Sequence, residues 1–529
     1  MKVERTEKPA LVRGLLSPEA YPERPQEVEL VQTQISFVFL AGPYVYKVKK
    51  PVNFGFLDFT TLEKRHFFCQ QEVLLNRRLC PDTYLGVVKV VQQGGCIRVE
   101  GEGEVLDYAV KMRLLPRELM LDYLLEKGEA TPGMLDRIAQ RLAAFHRQAE
   151  TSPDIARYGS LEAIRFNVEE NFSQTEPYVG LTLPAVYYQA ISRAARLLLE
   201  EGKSLFLSRQ DGGRIRDCHG DLHAAHICLA DGLCIFECIE FNDRFRYCDV
   251  ASEIAFLAMD LDHHSRPDLS RRFVEAYVQA SGDRGLGELL DFYKGYRAYV
   301  RGKVEGFKLQ DPHVPPQEKA QAQGTARRYF DLAYAYTRRG KPSLFITAGL
   351  VGTGKSGLAE GLARARGLAH ISSDLTRKAL AGIAPTEHRF DDFDTGLYSP
   401  DVTRRTYDEV FQRARQELTQ GRSVVLDASF KGSAQRRRAL ELAQEMGAEL
   451  WVLECTAPET TVRERLERRL RKGTSPSDGR WEIYLQQKKE FDPVAEVDPS
   501  RHLVVDTSGP KDEVSLNVLE RLAEKENEC

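Results

Sequence analysis

The sequence predicts an α+β region in two lobes, followed by an α/β domain on a mostly parallel sheet. Three observations carry this. Residues 28 to 115 are strand-rich: VELVQTQISFVFLAG, YVYKVKKPV and YAVKMRLLP alternate or run apolar with β-branched and aromatic residues. One helical stretch, TLEKRHFFCQQEVLLNRRL from Thr61 to Leu79, interrupts them. Residues 117 to 215 and 249 to 336 read as mostly helical, as in MLDRIAQRLAAFHRQ, and enclose short strands around CHGDLHAAHICLADGLCIFECIEF. Beyond the polar segment TRRGKPS the pattern changes to apolar strands separated by helices: SLFITAG, SVVLDAS, ELWVLECTA and HLVVDTS. Such alternation indicates parallel strands covered on both faces. The expected boundaries are a first lobe at 1–116, a helical lobe at 117–336, a linker at 337–343 and the α/β domain at 344–529.

Composition narrows the function classes. At ~150 residues per domain, 529 residues allow three to four compact units. Hydrophobic residues at 42% and charged residues at 29% exclude a disordered or collagen-like chain. A net charge of −4, from 74 basic and 78 acidic residues, argues against coating nucleic acid through a global positive field. No run approaches the ~18 apolar residues of a membrane span, and MKVERTEKPALVRGLL lacks the apolar core of a secretory signal. A cytoplasmic protein without a membrane partner is expected. Its ten cysteines should then be reduced, packing thiols. Cys218, Cys228, Cys234, Cys238 and Cys248 crowd one stretch with three histidines, but no CxxC pair supports a thiolate metal site.

The strongest motif is Gly349-Leu350-Val351-Gly352-Thr353-Gly354-Lys355-Ser356, which fits G-x-x-x-x-G-K-[ST] between an apolar strand and a helix. Glycines let the backbone wrap phosphates, so that its N–H groups and the helix N-terminus face the anion. Lys355 would neutralise the β/γ-phosphates of ATP, and the Ser356 hydroxyl would ligate Mg²⁺. The next strand ends in Ile371-Ser372-Ser373-Asp374 and leads to Arg377, one helical turn on. A carboxylate can take a hydroxyl proton, and a guanidinium can hold an anion. This S-x-D-x-x-R element resembles the polynucleotide-kinase-like branch of small P-loop kinases, which implies Asp374 as general base and Arg377 as a grip on substrate phosphate. Asp427, ending SVVLD, could support Mg²⁺ or the accepting hydroxyl, with a strand-end turn as its competitor. In RERLERRLRK, Arg465 and Arg469 stand at i, i+4 where such kinases carry a lid; a solvated charged face is the alternative. TSPSDGR would be the mobile end of that lid, and DDFD at 391–394 an exposed acidic loop.

A second constellation lies upstream. Cys218-His219-Gly220-Asp221-Leu222-His223 is separated by two short strands from Cys238-Ile239-Glu240-Phe241, which suits a hairpin between two functional ends. The order H-G-D then I-[DE]-F resembles the aminoglycoside phosphotransferase and choline kinase family, of two-lobed protein-kinase-like fold, over residues 28 to 335. The resemblance implies Asp221 as the hydroxyl-orienting acid, Glu240 as the metal acid, and Lys47 as the phosphate-pairing lysine. Lys49 on the same strand face is the alternative lysine, Glu72 the ion-pair partner, and Met112 lies near the hinge. It also implies Asp249 as support for the catalytic loop. Two positions depart from the pattern: His226 stands where the family has a metal-binding Asn, and Glu240 where it has Asp. An imidazole is a poorer ligand for hard cations than an amide oxygen. Lys294, Arg297 and Arg301 form a cationic helical stripe, expected as a solvated face.

Together the chain resembles bacterial fusions of an aminoglycoside phosphotransferase-like domain with a P-loop kinase. That implies an ATP- and Mg²⁺-dependent phosphotransferase with two nucleotide sites acting on hydroxyl acceptors. A nucleic-acid 5′-hydroxyl, a nucleoside, a sugar and an aminoglycoside all remain as acceptors. A single working C-terminal kinase with a regulatory N-terminal module, and an ATPase switch without acceptor, are the competing readings.

Overall fold

The computed structural model describes residues 9–230, 232–311, 314–337, 342–384, 387, 395–472 and 479–528. The acidic run at 391–394 and residues 473–478 of the expected lid lie outside the described residues, as does most of the linker. The chain forms two units, one of residues 1–173 and 195–300, the other of residues 174–194 and 301–529.

The first unit carries six antiparallel strands in the order β1-β2-β3-β6-β4-β5. They are β1 (Val28–Gln32), β2 (Ser36–Ala41), β3 (Tyr44–Lys49), β4 (Tyr84–Gln93), β5 (Cys96–Val99) and β6 (Glu104–Arg113). The long apolar run VELVQTQISFVFLAG is therefore a hairpin, β1 paired with β2. Both faces of the sheet are covered. Tyr46 and Val48 pack with Val12 and Leu15 on one face, whereas Val45 and Met112 pack with Cys69 and Val73 on the other. The two-residue period thus turns Lys47 and Lys49 to the side of Val45. Helix α1 (Leu62–Asn76) begins at Thr61, whose hydroxyl accepts from the Lys64 N–H. Arg65, Cys69, Glu72 and Asn76 form its buried stripe, at the three- and four-residue spacing of one helix face.

The helical part includes α2 (Pro132–Gln148), α3 (Val250–His263) and α4 (Pro267–Ser281). Between them, β7 (Ile215–Asp217) pairs with β10 (Tyr247–Asp249), and the expected hairpin is β8 (Ile227–Cys228) with β9 (Cys234–Ile235). One expectation about the cysteines fails: Cys80 and Cys234 form a disulfide, Cα atoms 4.5 Å apart across 154 residues of sequence. Both thiols sit where the end of α1 meets the hairpin, so packing brought the pair together without any local sequence signal. Cys218, Cys228 and Cys238 are buried and free. The cationic stripe is also not solvated. Lys294 is buried on Asp262 and Ser270, and Arg297 is buried with Nη1 donating to the Gly220 carbonyl at 3.2 Å. Arg297 thereby braces the loop at Asp221 from behind.

The second unit holds five parallel strands in the order β12-β13-β11-β14-β15. These are β11 (Ser343–Ala348), β12 (Ala369–Ser372), β13 (Val424–Asp427), β14 (Glu449–Thr456) and β15 (His502–Asp506). All six residues of the central strand β11 are buried, which is why it reads as a continuous apolar run. Helices α5 (Lys355–Arg366), α6 (Ser373–Leu380), α7 (Pro400–Thr419), α8 (Ser433–Glu445), α9 (Glu459–Lys472) and α10 (Lys511–Glu528) join and follow the strands. From β11 the chain runs to β12 and β13 on one side and then crosses to β14 and β15 on the other, so the carboxyl end of β11 is the switch point at which ligands bind in such sheets. No helix among the described residues is long and apolar enough to cross a membrane.

Candidate functional site

In the C-terminal unit the loop between β11 and α5 is shaped by three glycines in the left-handed region, with φ of 135° at Gly349, 84° at Gly352 and 87° at Gly354. Each is also closely approached. A Cβ would lie 2.5 Å from the Cys455 carbonyl at Gly349, 2.8 Å from Val462 at Gly352 and 2.8 Å from Thr507 at Gly354. Glycine is therefore required twice over, by conformation and by space. The Thr353 hydroxyl and the Lys355 ammonium both donate to the Leu350 carbonyl, at 2.8 and 2.7 Å, folding the loop on itself.

A cavity of about 910 Å³ opens at this loop. Its walls include Gly352, Gly354, Lys355 and Ser356 from the loop, Asp374 and Arg377 from α6, Asp427 from β13, and Arg465 and Arg469 from α9. Residues that span 118 positions of sequence, from Gly352 to Arg469, thus meet around one space. Burial pushes the Lys355 ammonium below its ordinary range, against the pull of Asp427 and Asp374. The Arg465 guanidinium is likewise lowered by burial and by Arg468 and Arg469 beside it. It donates to the Thr507 carbonyl at 2.5 Å, which pins the middle of α9 to the residue after β15. Arg377 donates Nη1 to the Leu397 carbonyl at 2.9 Å and to Thr403 at 3.1 Å, and lies over the Tyr398 ring. Oxygen donors from Ser356 and Asp427 suit a hard cation such as Mg²⁺.

Thr507 escaped sequence reasoning. Its hydroxyl donates to the Thr353 carbonyl at 2.6 Å and so forms the floor of the loop. Its position one residue after the last apolar strand was the available signal. His370, 3.6 Å from the Asp427 carboxylate and on the cavity wall, was also missed.

In the N-terminal unit, β3 and α1 bring Lys47, Lys49 and Glu72 together. Glu72 bonds Lys47 at 2.8 Å and Lys49 at 2.7 Å, so both candidate lysines meet the same acid. Glu240 is bonded to Lys49, and Glu237 grips Lys47 with both oxygens, at 2.8 and 2.7 Å. Burial alone would raise the Glu72 carboxyl, but Lys47 and Lys49 outweigh it and hold it down to about 2. Glu240 moves up instead, because its burial outweighs the pull of Lys49. Lys47 is desolvated too, yet Glu237 and Glu72 carry it well above its ordinary range. Met112 lines β6 opposite Val45, buried. Glu237 was not foreseen; it sits at φ 63°, a strained conformation for a side chain of its length.

The loop with Asp221 is held by a different residue than expected. Asp249 pairs with Arg209 at 2.6 Å and caps α3, whereas Glu253 accepts the N–H groups of His219 and Gly220, each at 2.7 Å. Glu253 lies one turn further along α3, so the same helix supports the loop from the next position on that face. Glu253 also bonds His146 at 2.7 Å, and Asp260 accepts from the Ala224 N–H at 2.8 Å. Asp221 is part-exposed, with ring nitrogens of His223 and His226 each 3.6 Å from its carboxylate. Burial and the neighbouring His223 push the His226 imidazole well below its ordinary range, so it is neutral. A Lys-bound Glu240 and a neutral imidazole are a poor match to a Mg²⁺ ion, which prefers free oxygen ligands.

Sheet order, P-loop and the cavity above them define a P-loop nucleotide-binding domain, here fused to a second unit with its own antiparallel sheet. A family model described as an AAA domain matches residues 344–494. Two proteins, Rv2004c of Mycobacterium tuberculosis and Mb2027c of Mycobacterium bovis, both described as uncharacterized, are each 32% identical over 440 residues, 83% of this chain and 86% of theirs. The chain belongs to their family. Among solved structures, a gluconokinase from Sinorhizobium meliloti is 23% identical, covering 36% of this chain and 98% of its own, at a TM-score of 0.26. A choline/ethanolamine kinase family protein from Mesorhizobium loti is 14% identical, covering 62% of this chain and 99% of its own, at a TM-score of 0.36. At such scores the fold assignment rests on the sheet order and the P-loop themselves.

Proposed function

We propose that this chain is an ATP-dependent phosphotransferase with two nucleotide sites, and that the C-terminal cavity transfers the γ-phosphoryl group to a hydroxyl acceptor. One observation carries the reading: Lys355, Asp374 and Asp427 line the same cavity as Arg465 and Arg469. An ATPase that only switched would have no need of a carboxylate at the start of α6, facing the space beyond the P-loop. Asp374 takes the proton as the acceptor oxygen bonds to phosphorus and the bond to the leaving ADP oxygen breaks. Lys355 and the loop N–H groups neutralise the phosphates, and Arg465 with Arg469 meets the charge on the group in transit. Mg²⁺, when bound at Ser356 and Asp427, adds further neutralisation of the triphosphate. Arg377, fixed over Tyr398, places a cation on the Asp374 side of the cavity, where an anionic acceptor would dock.

For the N-terminal unit a second reading has its own support. Lys47 is already engaged by Glu237, so this site suits nucleotide or substrate binding under control better than rapid transfer. The test is to incubate the full chain with γ-labelled ATP and fractionated RNA, DNA and metabolite pools, beside Lys355→Ala and Asp221→Ala. Label in one pool that Lys355→Ala abolishes supports the C-terminal assignment. Steady ATP hydrolysis with no labelled acceptor in any pool overturns it in favour of an ATPase switch.

A further inference from the structure

Asp221, His223 and His226 gather at the part-exposed end of the loop in the N-terminal unit. His223 is extended, at φ −140° and ψ 169°, and a single 3₁₀ turn from Ala224 to His226 follows. That turn closes with the His226 N–H on the His223 carbonyl at 3.0 Å. As a result the two imidazoles face each other, with ring centroids 3.9 Å apart. A nitrogen of each lies 3.6 Å from the same Asp221 oxygen, Oδ2. One ligand atom from each of the three residues falls within 4.8 Å of the others. Around a first-row transition ion with bonds of ~2.1 Å, neighbouring ligand atoms stand about 3.0–3.4 Å apart. His223 Nε2 and His226 Nδ1 each need move only a few tenths of an ångström towards Asp221 Oδ2 to reach that spacing.

The surroundings keep this arrangement in place. His226 Nδ1 also lies 3.0 Å from the Asp221 carbonyl oxygen, a contact that holds the ring beside the carboxylate and that Nδ1 exchanges for the ion on binding. The 3₁₀ turn is tied to α3 by the Ala224 N–H on Asp260. His223 packs tilted against Phe256, and His226 tilted against Phe236, each with ring centroids 5.8 Å apart. The side opening on Asp221 is the exposed one.

We propose that Asp221, His223 and His226 form a binding site for one first-row transition-metal ion, selected over Mg²⁺ by its two imidazoles. Two nitrogens and one carboxylate suit Zn²⁺, Co²⁺, Mn²⁺ or Fe²⁺, whereas Mg²⁺ seeks oxygen ligands. An ion here sits on the carboxylate that would otherwise orient an acceptor hydroxyl. The site needs only these three side chains, so it stands or falls separately from phosphoryl transfer in either unit.

The experiment uses the full chain, stripped with a chelator and then titrated with Co²⁺ in excess Mg²⁺ without nucleotide. Calorimetry gives the stoichiometry, and visible d–d absorption reports the ligand field. One Co²⁺ per chain is expected, without a near-ultraviolet thiolate band. His223→Ala and His226→Asn should each weaken binding by about 100-fold, Asp221→Asn by about 10-fold, while Lys355→Ala and Cys218→Ser leave it unchanged. Unchanged affinity in both histidine variants overturns the proposal, as does displacement of Co²⁺ by Mg²⁺. A thiolate band lost in Cys218→Ser also overturns it, by assigning the ion to the buried His146, Cys218 and Glu253. If His223→Ala unfolds by circular dichroism, His226→Asn and Asp221→Asn decide the outcome.

Discussion

The two lysine sites treat the same functional group in opposite ways. Lys47 and Lys49 are enclosed by Glu72, Glu237 and Glu240, and Lys47 holds its proton more tightly than a free lysine. Lys355 bonds a backbone carbonyl, has two carboxylates at longer range and arginines nearby, and holds its proton less tightly. Desolvation acts on all of them; the nearby charge decides the sign. A site whose cations are already matched must release a carboxylate before it accepts a phosphate. One whose cations are under-matched is prepared for an anion. The difference separates a controlled site from a ready one, and it can be broken experimentally.

The largest effect should come from Lys355→Ala, which removes the principal cation of the ready site. Phosphoryl transfer to the acceptor identified by labelling should fall ~10²–10³-fold; a fall of less than tenfold would move the active centre elsewhere. Asp374→Asn should cost about 10²-fold in transfer with ATP affinity preserved, as read by titration with a fluorescent ATP analogue. Loss of ATP affinity instead would make Asp374 a structural or metal-holding group.

The controlled site can be tested through its scaffold. Burial would raise the Glu253 carboxyl, but the hydrogen bond and charge of His146 outweigh it and hold the group at about 2, below its ordinary 4.5. A depressed carboxyl stabilises the fold above its unfolded pKa and loses that stabilisation as pH falls through the folded one. It should contribute about 3 kcal/mol at neutral pH, of which about 2 kcal/mol is gone near pH 3. Glu253→Gln should therefore lower stability at neutral pH, and its difference from wild type should shrink on acidification. Urea unfolding of both proteins at about pH 7 and about pH 3 measures this.

The smallest change should be Glu237→Gln. Freed from one carboxylate, Lys47 should bind nucleotide about fivefold more tightly, equivalent to ~1 kcal/mol. Measured in a Lys355→Ala background, the titration reports the N-terminal unit alone. Unchanged or weaker binding would make Glu237 a structural partner and erase the contrast between the sites.

How much of this was legible depended on whether the residues are contiguous. The P-loop could be read because its glycines, Lys355 and Ser356 lie in one eight-residue window whose chemistry dictates the spacing. The central strands β11 and β13 could be read because full burial makes them continuous apolar runs. Glu253 and Glu237 were invisible for the opposite reason: one supports the loop from a helix more than 30 residues away, and the other is a polar residue in a hairpin that offers no pattern. Lys294 and Arg297 misled because a cationic helical stripe looks the same whether it faces water or a buried Asp262. The strand β4 was not singled out, since the register shift near Gly86 breaks its alternation, and β5 is only four residues long. The Cys80–Cys234 bond joins segments too distant in sequence to announce each other.

The bond from Thr507 to the Thr353 carbonyl also sets an order of events during synthesis. Its two ends are 154 residues apart, and the Thr353 side is made first. A nascent chain already carries every glycine of the loop, with Lys355 and Ser356, while the residue beneath it has yet to be translated. Because chains emerge from the amino end and domains fold as units, the loop acquires its floor only when β15 docks beside β14. The loop thus takes its final support only in the completed domain.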